Sequence, residues 1–180
     1  MINFSLHPFD TAIDPAILNL SGRVTRTDNR LILEFDLFDR LSQVLIPIAK
    51  SPRRRDNLWQ TTCFEFFIGV SNSSQYWEFN LSPGGDWNVY RFEDYRAGMQ
   101  EERAFSSLPF AVKARELRCT QCSHHTLLSI ELDLDHLNIT QSINLGITAV
   151  IETNQITYWA LNHCGKEADF HIRESFAIEL

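Results

Sequence analysis

Apolar and polar side chains alternate at period two through most of this 180-residue chain, and that pattern commits it to β-strands with one buried face. Leu31, Leu33, Phe35 and Leu37 fall on one side while Glu34 and Asp36 fall on the other. The preceding segment repeats the pattern with Leu18, Leu20 and Val24. Thr27-Asp28-Asn29-Arg30 supplies turn chemistry between the two, so 17–38 reads as a hairpin. Further strands are expected at 43–48, 61–70, 75–82, 86–93, 110–118, 126–132, 143–151 and 155–161. Breakers such as Ser71-Asn72-Ser73-Ser74, Pro83-Gly84-Gly85-Asp86 and Thr153-Asn154 separate them. Only Asp133 to Asn138 suggests a short helix, with Asp133 or Asp135 as its cap. The fold class is therefore all-β, an antiparallel β-sandwich of jelly-roll or immunoglobulin-like type with about ten strands. With no repeat, low-complexity tract or linker, residues 1–180 read as a single domain. The longest irregular stretch, 94–109, contains Arg96, Met99 and a Glu101-Glu102-Arg103 cluster. It reads either as a functional loop or as a solvated cover over one end of a sheet.

Charge narrows the partners. Sixteen basic against 23 acidic residues leave a formal charge of −7, which disfavours a nucleic-acid surface. The run Arg53-Arg54-Arg55 reads as a solvated loop rather than an anion site. No apolar run is long enough to cross a bilayer. The N-terminal residues lack the basic and apolar regions of a secretion signal, so the expectation is a cytoplasmic protein whose four cysteines are reduced thiols.

Functional chemistry concentrates between Leu58 and Phe92. On 61–70, Phe64, Phe66, Ile68 and Val70 share a face opposite Thr61, Cys63, Glu65 and Phe67. On 75–82, Trp77, Phe79 and Leu81 oppose Tyr76, Glu78, Asn80 and Ser82. Pairing these strands with their apolar faces together gathers Glu65, Tyr76, Glu78 and Asn80 on the other face. Strand 86–93 extends that patch with either Asn88 and Tyr90 or Trp87 and Arg91, because alternation leaves its register open. Two carboxylates, an amide and aromatic rings on one face suit a sugar: rings stack on a pyranose, and carboxylates and amides bridge its hydroxyls. The same pattern also describes an ordinary solvent-facing sheet.

Leu58-Trp59-Gln60-Thr61-Thr62-Cys63-Phe64-Glu65-Phe66-Phe67 and Tyr76-Trp77-Glu78-Phe79-Asn80-Leu81-Ser82-Pro83-Gly84-Gly85 resemble the DOMON-like domains related to family-9 carbohydrate-binding modules. Trp159-Ala160-Leu161-Asn162-His163 through Asp169-Phe170-His171 to Ser175-Phe176 resembles the closing segment of the standalone bacterial members. The resemblance implies a β-sandwich with a ligand site on one concave face, where Trp59 stacks on a sugar and Glu65 hydrogen-bonds its hydroxyls. Those modules close the sugar between two tryptophans. Here Trp159 is a strand residue, and His163, Phe170 and His171 occupy the expected rim. The resulting expectation is a noncatalytic binding domain for a small polar ligand, carbohydrate being the favoured class. Trp59, Glu65, Glu78 and Asn80 make the contacts, and Tyr76, Tyr90, Arg91, His163 and His171 shape the rim.

Rival readings use the same residues differently. A protein partner, or a second copy of the chain, can occupy the same aromatic face. Haem, held in some DOMON domains between Met and His, requires Met99 opposite one of six scattered histidines. Cys119-Thr120-Gln121-Cys122, followed by His124 and His125, offers two metal ligands but lacks a second pair at fixed spacing, so it reads as a hairpin tip; no cofactor or metal is expected. An enzymatic role rests on Glu65 and Glu78 alone, which on adjacent strands can stand about 5 Å apart, the spacing of a retaining glycosidase pair.

Overall fold

A computed structural model of the chain describes residues 1–9, 13–117 and 123–180. Alternation becomes two antiparallel layers. The first layer runs in the order β1 (Ile2–Pro8), β2 (Leu18–Thr27), β3 (Arg30–Asp39), β9 (Ser123–Asp133) and β8 (Phe110–Leu117). The second runs β7 (Gln100–Glu101), β6 (Trp87–Phe92), β5 (Tyr76–Leu81), β4 (Cys63–Val70), β10 (Ile143–Glu152) and β11 (Ile156–Ala160), with β12 (Ile178–Glu179) also on β10. β1 joins the layers: Ile2 to Leu6 pair with β2, and His7 and Pro8 pair with β11. The result is an all-β sandwich formed by one curled sheet.

The inward residues of both layers meet in one core. Leu20, Val24, Leu33 and Phe35 come from the first layer; Phe64, Phe66, Phe79 and Ile147 come from the second. Phe35 meets Phe64 across the interface at 5.1 Å, and Phe66 stacks on Phe79 at 4.4 Å. The expected 17–38 hairpin is present, turned through Asp28 at a φ of 53°. On β2, Gly22 lies where a Cβ would stand 2.0 Å from the Glu34 carbonyl oxygen and 2.4 Å from the Phe4 ring. Because a backbone atom is one of the two obstacles, Gly22→Ala is expected to cost about 1–3 kcal/mol, read as a lower midpoint in urea denaturation.

Several expectations are corrected. Residues 43–48 are irregular rather than a strand. Leu45 donates one backbone hydrogen bond, to the Glu152 carbonyl (2.8 Å), Pro47 has no amide to offer, and Leu45, Ile46 and Ile48 face outward. The 133–138 helix is a single 3₁₀ turn, Leu134–Leu137, capped by the Asp133 carboxylate accepting from the Asp135 amide. A first strand, Ile2–Pro8, absent from the expected set although Ile2, Phe4 and Leu6 alternate with Asn3, Ser5 and His7, is anchored by buried Phe4 and Leu6. Arg54 is not solvated. It donates to Asn88 and to the carbonyls of Glu102 and Phe105, and its guanidinium lies 4.3 Å from the centre of the Trp87 ring. It thereby pins part of the 94–109 segment to the sheet. Cys119 and Cys122 lie outside the described residues; the neighbouring His125 pairs with Asp36 at 2.9 Å. No described helix is long and apolar enough to cross a membrane.

Candidate functional site

The outer face of β4, β5 and β6 is covered. Every residue of β4 and β5 is buried, although alternation sends half of them away from the sandwich core. Phe67, Tyr76, Tyr90, Phe92 and Phe176 form a second apolar cluster there, with Trp59 and Phe170 packed against it. The cover is the C-terminal segment 162–177, which crosses the strands as a strap. A close approach at Gly69 makes this possible: a Cβ there would collide with the Arg173 guanidinium at 1.1 Å. Arg173 instead lies over that glycine, donating to the Val70 carbonyl and packing on the Phe176 ring.

The pairing of β5 with β6 decides the register that alternation left open. Glu78 stands opposite Tyr90, and Asn80 opposite Asn88. Tyr90 therefore joins the site face. Arg91 stands opposite Trp77 on the other face and donates to Gln100 at 3.2 Å, away from the site. His163 is also remote, with Nε2 2.8 Å from the His7 carbonyl oxygen and its ring edge-on to Phe9.

Of the remaining residues, Trp59, Glu65, Glu78 and His171 line a cavity of about 300 Å³, and Tyr76, Asn80 and Tyr90 do not. Its floor holds Glu65 from β4 and Glu78 from β5. Glu65 Oε2 accepts a 3.4 Å bond from the Thr148 hydroxyl, while Oε1 is buried with no partner among the described residues. Glu78 Oε1 accepts from the Asn80 amide at 2.9 Å, and its Oε2 lies 4.0 Å from His171 Nε2. Burial pushes the Glu65 carboxyl well above the ordinary carboxylate range, and the Glu78 charge adds to the effect. Burial likewise raises Glu78, to about 7. Asn80 is fully buried and orients Glu78. Cys63 Sγ, 3.8 Å from the Asn80 carbonyl oxygen, is a buried thiol that burial keeps protonated.

The walls are aromatic. Trp59 projects from a 3₁₀ turn, Leu58–Gln60, that follows Asn57 in the left-handed conformation. Tyr90 meets it edge-on at 5.8 Å. The Tyr90 hydroxyl donates to Asp56 at 2.7 Å and accepts from Asn88 at 2.8 Å, which fixes both ring and turn. Across the cavity stand Tyr158 and Phe170, 6.1 Å apart, in place of a second tryptophan. Trp159 belongs to the core, its indole donating to Thr157. Tyr158 was detectable only through its neighbour. Once Trp159 points inward, Tyr158 must point outward, and its pairing with Val150 brings it to the Glu65 face.

The strap and the 94–97 turn are clasped together. Asp169 accepts from the Tyr95 hydroxyl (2.5 Å), Arg96 (2.8 Å) and the His171 amide (2.9 Å). His171 shares a 2.8 Å hydrogen bond with the Tyr76 hydroxyl, which also accepts from the Arg96 amide. Burial lowers His171 to about 4, so its ring is neutral at ordinary pH. Tyr76 itself is fully buried and holds the strap rather than lining the cavity. Met99 lines the same cavity as His171, the pairing a haem reading requires, but both ring nitrogens of His171 face protein partners. Among the described residues no three His, Cys, Asp or Glu side chains gather into a metal site.

With this geometry in hand, comparison shows the fold. The chain superimposes on a "putative carbohydrate-binding protein" from Bacteroides uniformis, in a crystal structure, with a TM-score of 0.70. The superposition covers 98% of this chain and 84% of that one, at 14% identity. No family model matches the sequence, and no curated protein does. The shared feature is thus the all-β architecture, not a sequence signature.

Proposed function

We propose that the chain is a noncatalytic binding protein of DOMON-like type, and that it holds a small carbohydrate in the cavity between Trp59 and the Tyr158–Phe170 pair. The observation that carries this reading is Glu65 Oε1, a buried acceptor with no partner among the described residues, on a side chain that lines an aromatic-walled cavity. Leaving such an atom unpaired is costly, and a ligand hydroxyl or amine would relieve it. The apolar rings supply stacking surface for a sugar ring, and Glu78, held by Asn80, supplies a second acceptor. The carbohydrate-binding description of the structural neighbour supports the same ligand class.

Titration of the protein with mono- and disaccharides, followed by tryptophan fluorescence, tests the reading. Binding is expected to perturb Trp59 emission, and Trp59→Ala is expected to weaken binding on the order of 10- to 100-fold. A well-folded protein that answers to no sugar would sink it. A protein partner is the second reading, favoured by half-exposed Met99 and Tyr158 in the cavity lining and by half-exposed Tyr95, which bonds Asp169 of the strap. It predicts a stoichiometric complex or a dimer abolished by the same substitution.

A further inference from the structure

We propose that the ligand is an amino sugar whose ammonium group is received between Glu65 and Glu78. The proposal rests on the carbohydrate reading above and narrows it to a cationic member of that class. Two carboxyl groups share the floor of one cavity and are almost wholly shielded from water. Among the described residues no Lys or Arg lies within ion-pairing distance of either. None of the groups facing the pair from the surrounding elements places a charged partner against either carboxyl. Cys63 on β4 is a thiol, Tyr90 on β6 a phenol bound to Asp56, and Thr148 on β10 a neutral donor. Arg96, from the turn after β6, favours the Glu78 charge from a distance but makes its ion pair with Asp169 of the strap, and His171 presents an uncharged ring.

Such a floor cannot carry two negative charges in isolation, because desolvation and mutual repulsion both oppose them. A proton retained by the pair is one remedy; a ligand cation is another. A neutral sugar hydroxyl offers one donor and no charge, so it leaves the repulsion in place. An ammonium offers three donors and the compensating charge, with Glu65 Oε1 as an acceptor that no described residue satisfies. The Trp59, Tyr158 and Phe170 rings add a favourable field for a cation as well as an apolar surface for the sugar ring. When the ammonium enters, the carboxyl proton that it replaces leaves to solvent. Binding therefore releases a proton, and no covalent bond is made or broken.

Isothermal titration of the natural protein with glucosamine, glucose, N-acetylglucosamine and cyclohexylamine tests the inference. Runs at mildly acidic pH, in two buffers of different ionisation enthalpy, count the proton. Glucosamine is expected to bind on the order of tenfold more tightly than glucose or N-acetylglucosamine, with net proton release. Glu65→Gln and Glu78→Gln, which keep side-chain shape, are expected to reduce glucosamine to the glucose level. Equal affinity for glucose overturns the ammonium assignment and leaves the carbohydrate reading standing. Cyclohexylamine binding as well as glucosamine overturns the assignment to a sugar. No binding of any sugar by folded protein overturns both.

Discussion

A Glu78→Gln variant is expected to gain about 3 kcal/mol of stability relative to the natural protein as pH rises from 4.5 to beyond 7. The reason is the protonated state of the buried carboxyl. Its value in the folded chain, about 7, lies above the ordinary 4.5, chiefly because burial disfavours the charge. The folded state therefore binds a proton that the unfolded state has already lost. That contribution is fully present below pH 4.5 and disappears as pH climbs through about 7. Glutamine has no proton to lose, so the variant escapes the decline. His171 works in the opposite sense: its folded value of about 4 lies below 6.5, so it adds stability as pH rises between those values. Both proteins contain His171, and its effect cancels in the comparison. Removing Glu78 also removes the charge that helps to raise Glu65, which moves the difference further in the same direction. Urea denaturation of the two proteins across this range is the measurement. A constant difference between them would show that Glu78 binds its proton no more tightly in the folded protein than in the unfolded chain.

Trp159→Ala is expected to cost about 3–5 kcal/mol while leaving ligand affinity unchanged at temperatures where the variant is folded. Trp159 is only 2% exposed, packed in the core between the layers, and stands opposite Ala149 on β10 and Pro8 on β1. Truncation removes a large ring and leaves a void at the point where β1 joins the two layers. For a chain of this size the loss corresponds to a fall of roughly 10 °C in Tm. Trp59 differs in being half-buried at the cavity wall, so Trp59→Ala is expected to act on binding far more than on stability. Loss of binding in Trp159→Ala with little change in Tm would instead identify Trp159 as the second stacking ring.

These two tryptophans show where the sequence stopped being informative. Period-two alternation was enough to place Phe64, Phe66, Trp77 and Phe79 inside, and to gather Glu65, Tyr76, Glu78 and Asn80 on the opposite face. That holds because adjacent side chains on a strand point to opposite sides whatever the rest of the chain does. Alternation carries no information about which residues stand across from one another. Arg91 and Tyr90 were therefore equal candidates until the pairing of Glu78 with Tyr90 separated them. Nor does it report what lies above a face. Glu65 and Asn80 look like solvent-facing residues in the sequence, and both are buried: strap residues Ala168 and Phe170 wall the cavity with Glu65, and the turn that presents Trp59 packs against β5 on the Asn80 side.

The face around Trp59, Glu65 and Glu78 was thus determined locally, by strand periodicity and by the turn that presents Trp59. Only the tertiary structure converted it from an open sheet surface into a covered cavity. Contacts distant in sequence do this: Arg173 over Gly69, His171 against Tyr76, and Asp169 holding Tyr95 and Arg96. Burial imposed by those contacts raises the two carboxyl groups, and no pattern within β4 or β5 encodes it.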